Sequence, residues 1–163
     1  MLFRSGPATR SFFVQVMSGR SITVPGNIPV TTNAWGTIAP AVDLPDAHNS
    51  QAVAIFSVPQ DYASDLTVTA VVSPEIGGNA YVYTVTEYGP CGTVFDNRRS
   101  ITGYSPISVT QNFWNCINSL TLTAPAAGDM VLARFYRSAT DPLDTIAGDL
   151  YVFGFQVEYV PIS

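Results

Sequence analysis

Apolar and polar residues alternate along several segments of this chain. The segment DLTVTAVVS (65–73) places leucine, valine and alanine on one face and threonine on the other. MVLARFYRS (130–138) and LYVFGFQVEYV (150–160) show the same period of two residues. Because successive side chains of a β-strand point to opposite faces, this pattern predicts strands. No window carries apolar residues at the spacing of a helix, so no helix is predicted.

The predicted strands recur at intervals of about ten residues, and turn-forming residues separate them. Proline or glycine closes several of them, for example in EIGG (75–78) and PAAGD (125–129). The last strand is apolar on both faces, which is typical of a central, covered strand. The predicted strands span 11–17, 51–59, 65–73, 79–89, 107–114, 118–124, 130–138 and 150–160.

This pattern predicts an all-β fold, an antiparallel two-sheet β-sandwich. A jelly roll and an immunoglobulin-like sandwich both fit it. A long connection at 18–50 and a predicted loop at 90–106 favour the jelly roll. We expect one structural domain overall. Residues 1–50 would form an extended N-terminal arm and surface-running segment, with a first strand at about 11–17, and residues 51–163 the jelly-roll sandwich.

Charged residues are scarce, at 12% of the chain against about 25% in an ordinary domain. Polarity comes instead from serine, threonine, asparagine and glutamine. A weakly charged surface that is rich in apolar residues indicates that partner molecules cover much of it. A plain β-domain with a hydroxyl-rich exterior is the alternative, and composition does not separate the two.

All seven basic residues are arginine, and three of them precede the first acidic residue, Asp43. These three, Arg4, Arg10 and Arg20, predict a basic arm that docks on an acidic surface through bidentate pairing with carboxylates. The net charge of −5 argues against nucleic acid as a partner.

The sequence shows no secretory signal and no run of about 20 apolar residues, so no membrane partner is predicted. Cys91 and Cys116 are the two cysteines. Without an export signal we expect reduced thiols, and their spacing fits no metal site. No cofactor and no metal are predicted.

Three aspartates and a threonine lie between the last two predicted strands: Asp141, Asp144, Thr145 and Asp149. Such short polar side chains cap backbone N–H groups at turns, and Arg134 or Arg137 could pair with one of the carboxylates. A calcium site is the alternative, although the spacing is not that of an EF-hand loop.

The sequence shows no set of residues with the spacing of a known catalytic site. His48 is the single histidine, in the loop DAHNS, and its neighbours Asp46 and Ser50 would rarely form a triad from one loop. Phosphate-binding, HExxH and GxSxG motifs do not occur. We predict that the protein is not an enzyme.

Aromatic residues in or near predicted loops form a candidate glycan site, since aromatic faces can bind sugars. They are Trp35, Trp114, Tyr88, Tyr104 and Phe95, and the loop DNRRSITGY (96–104) adds Asn97, Arg98 and Arg99. The alternative is that the tryptophans fill the core or a subunit interface.

Two segments carry a family resemblance. AVAIFSVPQDYASDLTVTAVVS (52–73) joins two strands through VPxDY, and LTLTAPAAGDMVLARFYRSATDPLDTIAGDLYVFGFQVEY (120–159) contains GDxVxxRxxR followed by DxxDTxxGD. Together they resemble the single-domain jelly rolls of tailed-bacteriophage virions, which include head decoration (cement) proteins and tail or fibre components.

The resemblance implies a non-enzymatic structural protein. Our first hypothesis is a decoration protein on the capsid exterior, made in the host cytoplasm. It would associate with itself, as a trimer, and bind the major capsid protein to stabilise the shell. The second is a tail or fibre module that binds a host-surface glycan, and the third is a cellular carbohydrate-binding domain.

Overall fold

The computed structural model describes residues 8–21, 26–28, 30–31, 40–93 and 98–163. These ranges contain thirteen strands and no helix, and therefore no helix that could cross a membrane. The strands are β1 (Arg10–Gln15), β2 (Ser18–Ser21), β3 (Gly26–Ile28), β4 (Val30–Thr31), β5 (Ala41–Leu44), β6 (Asn49–Ser57), β7 (Tyr62–Pro74), β8 (Gly78–Gly89), β9 (Arg98–Ile101), β10 (Ser105–Val109), β11 (Asn115–Thr121), β12 (Met130–Ser138) and β13 (Leu150–Pro161).

The strands form two antiparallel sheets. Sheet I has the order β11-β7-β13-β5-β4, and β1 also pairs with β13. Sheet II has the order β10-β8-β12-β6-β2-β3, and β9 also pairs with β8. The long strands alternate between the sheets, and the last strand lies between β7 and β5. This order, in which early and late strands are neighbours, is that of a jelly roll, so the predicted fold class is confirmed.

The core lies between the sheets and is built by the inward positions of each alternating strand. Leu66, Val68 and Val72 of β7 and Ala133 and Phe135 of β12 are fully buried in one cluster. Burial stabilises the fold by about 1.5–3 kcal/mol for each large apolar side chain. The alternating pattern of the sequence therefore predicts which side chains face the core. The outward-facing side chains of the same strands lie outside this core and carry different chemical groups.

The described part of residues 1–50 contributes to this sandwich rather than forming a free arm. β1 pairs with β13 from Arg10 to Gln15. Val16 lies in the core, and the ring of Phe12 packs edge-on against Phe56 with centroids 5.8 Å apart. Apolar side chains of this segment therefore fill part of the core of the sandwich.

The prediction of a continuous loop at 90–106 is wrong in part. Residues 98–101 form β9, which pairs with β8, and β10 begins at Ser105. RRSI is too short and too polar to show a strand period, and its backbone hydrogen bonds to β8 are what make it a strand. The addition of β9 and β10 widens sheet II beside the tyrosines of β8.

Candidate functional site

The outward face of sheet II gathers aromatic and hydrogen-bonding side chains from three neighbouring strands. Tyr83 of β8 is in register with Tyr136 of β12, and Tyr136 is in register with Gln51 of β6. One step along β12 on the same face lies Arg134. The strand period places these residues side by side, because every second residue of each strand points outward.

Four tyrosines on this face form one cluster, which we call the tyrosine cluster: Tyr81, Tyr83, Tyr104 and Tyr136. The rings of Tyr83 and Tyr136 stack with centroids 4.3 Å apart. Tyr104, from the turn between β9 and β10, stacks on Tyr81 at 5.1 Å and meets Tyr83 edge-on at 4.1 Å. The rings therefore stand upright on the sheet and support one another.

Polar groups adjoin the tyrosine cluster. One guanidinium nitrogen of Arg134 donates to the hydroxyl of Tyr136 at 3.3 Å, and the other pairs with the carboxylate of Glu87. The Oε1 atom of Gln51 is buried and has no hydrogen-bond partner among the described residues. A buried polar atom without a partner is unfavourable, and a ligand donor that met it would relieve that cost.

Two hydroxyls of the cluster, those of Tyr83 and Tyr104, keep their protons at neutral pH. Burial raises the pKa of Tyr83, and Tyr104 and Tyr136 raise it further. Burial also raises the pKa of Tyr104, although a hydrogen bond with Tyr83 offsets part of the effect. These hydroxyls therefore act as neutral donors and acceptors, which suits an uncharged polar ligand.

An apolar hollow of about 290 Å³ lies on the same face, nearer the β8–β9 end. Ile55, Met130 and Leu132 supply its apolar lining, Glu87 lies at its edge, and residues 89–93 form one wall. Ile55 and Met130 are each 43% exposed. The face thus has a polar-aromatic part and an apolar part.

The loop between β12 and β13 is organised by a buried arginine. Arg137 is fully buried and forms a bidentate pair with Asp144, with Nη2–Oδ1 at 2.9 Å and Nε–Oδ2 at 3.1 Å. Its Nη1 also donates to the carbonyl oxygens of Leu44 and Gly148, both at 2.8 Å. Asp144 in turn accepts from the backbone N–H of Tyr81 at 3.0 Å. The loop is therefore tied to the strand that carries the tyrosine cluster.

The side chains of Asp141 and Thr145 in this loop also bind backbone groups. Asp141 accepts from the N–H of Leu143 at 2.9 Å, and the Thr145 hydroxyl accepts from the N–H of Asn79 at 2.9 Å. Asp149 donates its own N–H to the Glu75 carboxylate at 3.2 Å. Within the described ranges, no group of three histidines, cysteines or acidic residues is placed to hold a metal ion.

Of the aromatic residues singled out in the sequence, those that the structure describes lie apart from one another. Tyr104 belongs to the tyrosine cluster. Trp114, 67% exposed, lies before β11 and packs edge-on against Phe153 at 4.7 Å, on the sheet I side. Tyr88 lies near the end of β8, within the predicted strand 79–89; it is buried, and its hydroxyl donates to the carbonyl of Thr123 at 2.7 Å. Trp35 and Phe95 lie outside the described residues, as does Asn97.

The two described arginines of the expected arm, Arg10 and Arg20, have their backbones in strands of different sheets. Arg10 begins β1 and pairs with Asp61 of the same chain, because both lie at the edge where β1 meets β13. Arg20 has its backbone in β2, paired with Gln51, and Arg4 lies outside the described residues. Cys91 and Cys116 are both free and exposed, on opposite faces of the sandwich.

Binding aromatics were expected in loops, so the sequence-based prediction does not include Tyr81, Tyr83 and Tyr136, which lie in strands. The signal was present: in YVY (81–83) and RFY (134–136) the tyrosines fall on the outward side of their strands, opposite Val82 and Phe135. An aromatic residue on the polar side of a strand marks an exposed ring. Only the register across β8 and β12 shows that these rings meet.

No family model matches the chain, and no curated protein matches it. Several solved structures share the fold. The family 11 carbohydrate-binding module from Clostridium thermocellum, in complex with a β-1,3-1,4-mixed-linked tetrasaccharide, is 10% identical, with a TM-score of 0.42 over 99% of this chain and 94% of that one. TmCBM61 in complex with β-1,4-galactotriose is 12% identical, with a TM-score of 0.40 over 93% and 88%.

A third similar structure is the enzymatically active domain of bacteriophage CBA120 tailspike protein 4. It is 6% identical, with a TM-score of 0.39, and the match covers 94% of this chain but 19% of the tailspike domain. All these TM-scores are low. The strand order described above therefore carries the assignment of the fold, and the chain is a jelly roll similar in architecture to these modules.

Proposed function

We propose that this protein is a non-catalytic glycan-binding module whose site is the outward face of sheet II. The single observation that carries the proposal is the tyrosine cluster, in which four half-buried or exposed rings meet beside Arg134 and Gln51. Residues that pack only for stability would be expected to turn inward, whereas these rings stand on the surface of the sandwich.

The chemistry of this face suits a neutral sugar. The apolar C–H side of a sugar ring packs on an aromatic ring, and its hydroxyl groups need donors and acceptors close by. Tyr136, Arg134 and Gln51 offer both within one patch. The rings are also held by their neighbours, so little side-chain entropy is lost on binding.

A glycan array probed with labelled protein tests the proposal, followed by calorimetry on any glycan that binds. We expect Tyr104→Ala to weaken binding about tenfold or more, which corresponds to about 1.4 kcal/mol for one aromatic contact. Trp114→Ala is the matched control, since Trp114 is also exposed but lies on the sheet I side.

Two results would contradict the proposal: an array on which no glycan binds, or a Tyr104→Ala protein that binds as well as the unchanged protein. Loss of binding in Trp114→Ala but not in Tyr104→Ala would move the site to the other face. Circular dichroism melts of both variants show whether each is folded.

The second candidate function is capsid decoration, as a trimer bound to the major capsid protein on the virion exterior. The favouring observation is the charge asymmetry: three arginines and no acid in the first 42 residues, against four arginines and twelve acids in the rest. Exposed Phe13 and Met17, 49% and 60% accessible, add apolar surface beside β1. The pairing of Arg10 with Asp61 weakens the idea of a free basic arm.

Quantitative mass spectrometry of purified particles would test this second function. A copy number comparable to that of the major capsid protein, or a simple fraction of it, supports decoration. A few to a few dozen copies would place the protein in a tail or fibre, in agreement with glycan binding. Absence from particles produced by the same genome would contradict both virion roles and leave a cellular glycan-binding module.

A further inference from the structure

We infer that the apolar hollow beside the tyrosine cluster is a second subsite of the same face, and that it selects neutral glycans bearing a small apolar substituent, a methyl or an acetyl group. The inference rests on the proposed function and makes its substrate class narrower. Two independent features of the described residues lead to it: the continuity of the two parts of the face, and the size and lining of the hollow.

The two parts of the face are continuous through the strand register. Glu87, Leu132 and Ile55 lie side by side on β8, β12 and β6, as do Tyr83, Tyr136 and Gln51. Tyr136 and Leu132 are four residues apart on one strand, or about 13 Å at about 3.3 Å per residue. One extended ligand lying along the strands can therefore touch both parts.

Arg134 lies between the two parts and contacts both. It donates to the hydroxyl of Tyr136 on one side and pairs with Glu87 at the edge of the hollow on the other. The pairing neutralises the Glu87 carboxylate, so the hollow presents no unpaired charge from that residue. A hydroxylated ring is favoured on the tyrosine side, and an uncharged apolar group is favoured beyond Arg134.

The hollow is suited to a small group. Its volume of about 290 Å³ lies near the lower limit of small-molecule pockets, which span about 300–1,000 Å³. The hollow therefore has room for a small substituent together with part of the sugar ring that carries it. A methyl or acetyl group on a sugar would cover these side chains and remove them from water.

An array of neutral oligosaccharides in matched pairs tests the inference. Each pair differs in one group: 6-deoxyhexose against hexose, or N-acetylhexosamine against hexose. We expect the unchanged protein to prefer the apolar member by about fourfold for each methyl group buried. Ile55→Ser should reduce the preference to below about twofold. Ile76→Ser, an isoleucine 49% exposed in the turn after β7, is the matched control and should keep it.

The two exposed cysteines give a readout that needs no substitution. Cys91 lines the hollow, and Cys116 lies on β11 of sheet I. A bound N-acetylated or 6-deoxy oligosaccharide should slow alkylation of Cys91 by iodoacetamide and leave the rate at Cys116 unchanged. Mass spectrometry of both peptides measures the two rates in one sample.

The outcomes separate this inference from the proposed function. Equal binding of both members of every pair, or a preference that survives Ile55→Ser, overturns the hollow as a subsite and leaves glycan binding in place. Equal protection of Cys91 and Cys116 also overturns it. An array without any bound glycan overturns both. A preference lost in Ile55→Ser and kept in Ile76→Ser supports the inference.

Discussion

The outward faces of the two sheets follow the same alternation but carry different chemistry. On sheet I the exposed positions that β7 and β11 share hold short hydroxyl side chains that bond across the two strands: Thr67 with Thr121 at 3.0 Å and Thr69 with Ser119 at 2.8 Å. On sheet II the corresponding positions hold the tyrosine cluster with its polar neighbours. These four hydroxyl groups of the first face are paired with one another, whereas the second face leaves ring edges and the Oε1 atom of Gln51 for a ligand.

The difference shows that polarity by itself does not identify a binding face. A ladder of threonine and serine offers little apolar area, since each side chain is short and is already paired with its neighbour. Tyrosine combines a large ring with a hydroxyl, so it serves both stacking and hydrogen bonding.

The largest effect is expected inside the sandwich, at the support of the sheet II face. Arg137→Met removes the fully buried partner of Asp144 and leaves that carboxylate buried and uncompensated. We expect the free energy of unfolding to fall by about 3–5 kcal/mol. Glycan binding should weaken as well, because Asp144 also accepts from the backbone of Tyr81. Urea denaturation measures the first effect and calorimetry the second.

The double variant Arg137→Met/Asp144→Asn is the control for that experiment. It keeps an acceptor for the Tyr81 N–H but removes the uncompensated charge, so it should recover a substantial part of the lost stability. A single variant that loses less than about 1 kcal/mol would show that solvent reaches Asp144 and that the buried pair is not what holds the loop.

A smaller effect is expected within the tyrosine cluster. Tyr83→Ala removes a ring that stacks on Tyr136 and meets Tyr104 edge-on. We expect a loss of about 2 kcal/mol in stability, since the ring is half-buried and each aromatic pair contributes about 0.5–1.5 kcal/mol. Binding should be abolished, because both neighbouring rings lose their support.

Tyr83→Phe separates the ring from the hydroxyl in the same cluster. It should be nearly as stable as the unchanged protein and should bind with reduced affinity, since one neutral donor is lost. A Tyr83→Phe protein with full affinity would assign recognition to the ring faces alone. Thermal unfolding and calorimetry on the same samples distinguish these cases.

The fold was more predictable from the sequence than the site. The two-residue period in DLTVTAVVS and MVLARFYRS specifies which face is buried, because burial is a local consequence of the strand pattern. The tyrosine cluster requires the register of β8 against β12 and the path of the turn that carries Tyr104, and neither is encoded locally. Arg137 shows how far the sequence pattern leads. It predicts that Arg134 or Arg137 pairs with a carboxylate of the next loop, but it does not predict the complete burial of Arg137.

The two faces should also differ in their response to pH. Burial raises the pKa of Asp43, in β5 of sheet I, from 3.8 to about 6, and the charges of Asp149 and Glu75 add to the shift. The folded protein therefore holds this proton more tightly than the unfolded chain. The contribution of Asp43 to stability is therefore greatest below about pH 4, falls as the pH rises towards 6, and is lost above that.

Asp43→Asn removes this titration. The melting temperature of the variant should match that of the unchanged protein near pH 4 and exceed it near pH 8. Glu158→Gln, an exposed residue of sheet I, is the matched control. Burial also raises the pKa of Asp149. The effect of Asp43 is therefore given by the difference in melting temperature between Asp43→Asn and the unchanged protein at each pH. An Asn variant that is equally stable at both values of pH contradicts the argument.

The smallest effect is expected in the hydroxyl ladder of sheet I. A double-mutant cycle with Thr69→Val and Ser119→Ala should give a coupling of about 0.2–1 kcal/mol, as is usual for a cross-strand pair. The same variants should leave glycan affinity unchanged, since the ladder lies on the face opposite the tyrosine cluster. A measurable loss of glycan affinity in either single variant would mean that sheet I takes part in recognition. The two faces would then differ in their side chains but not in their function.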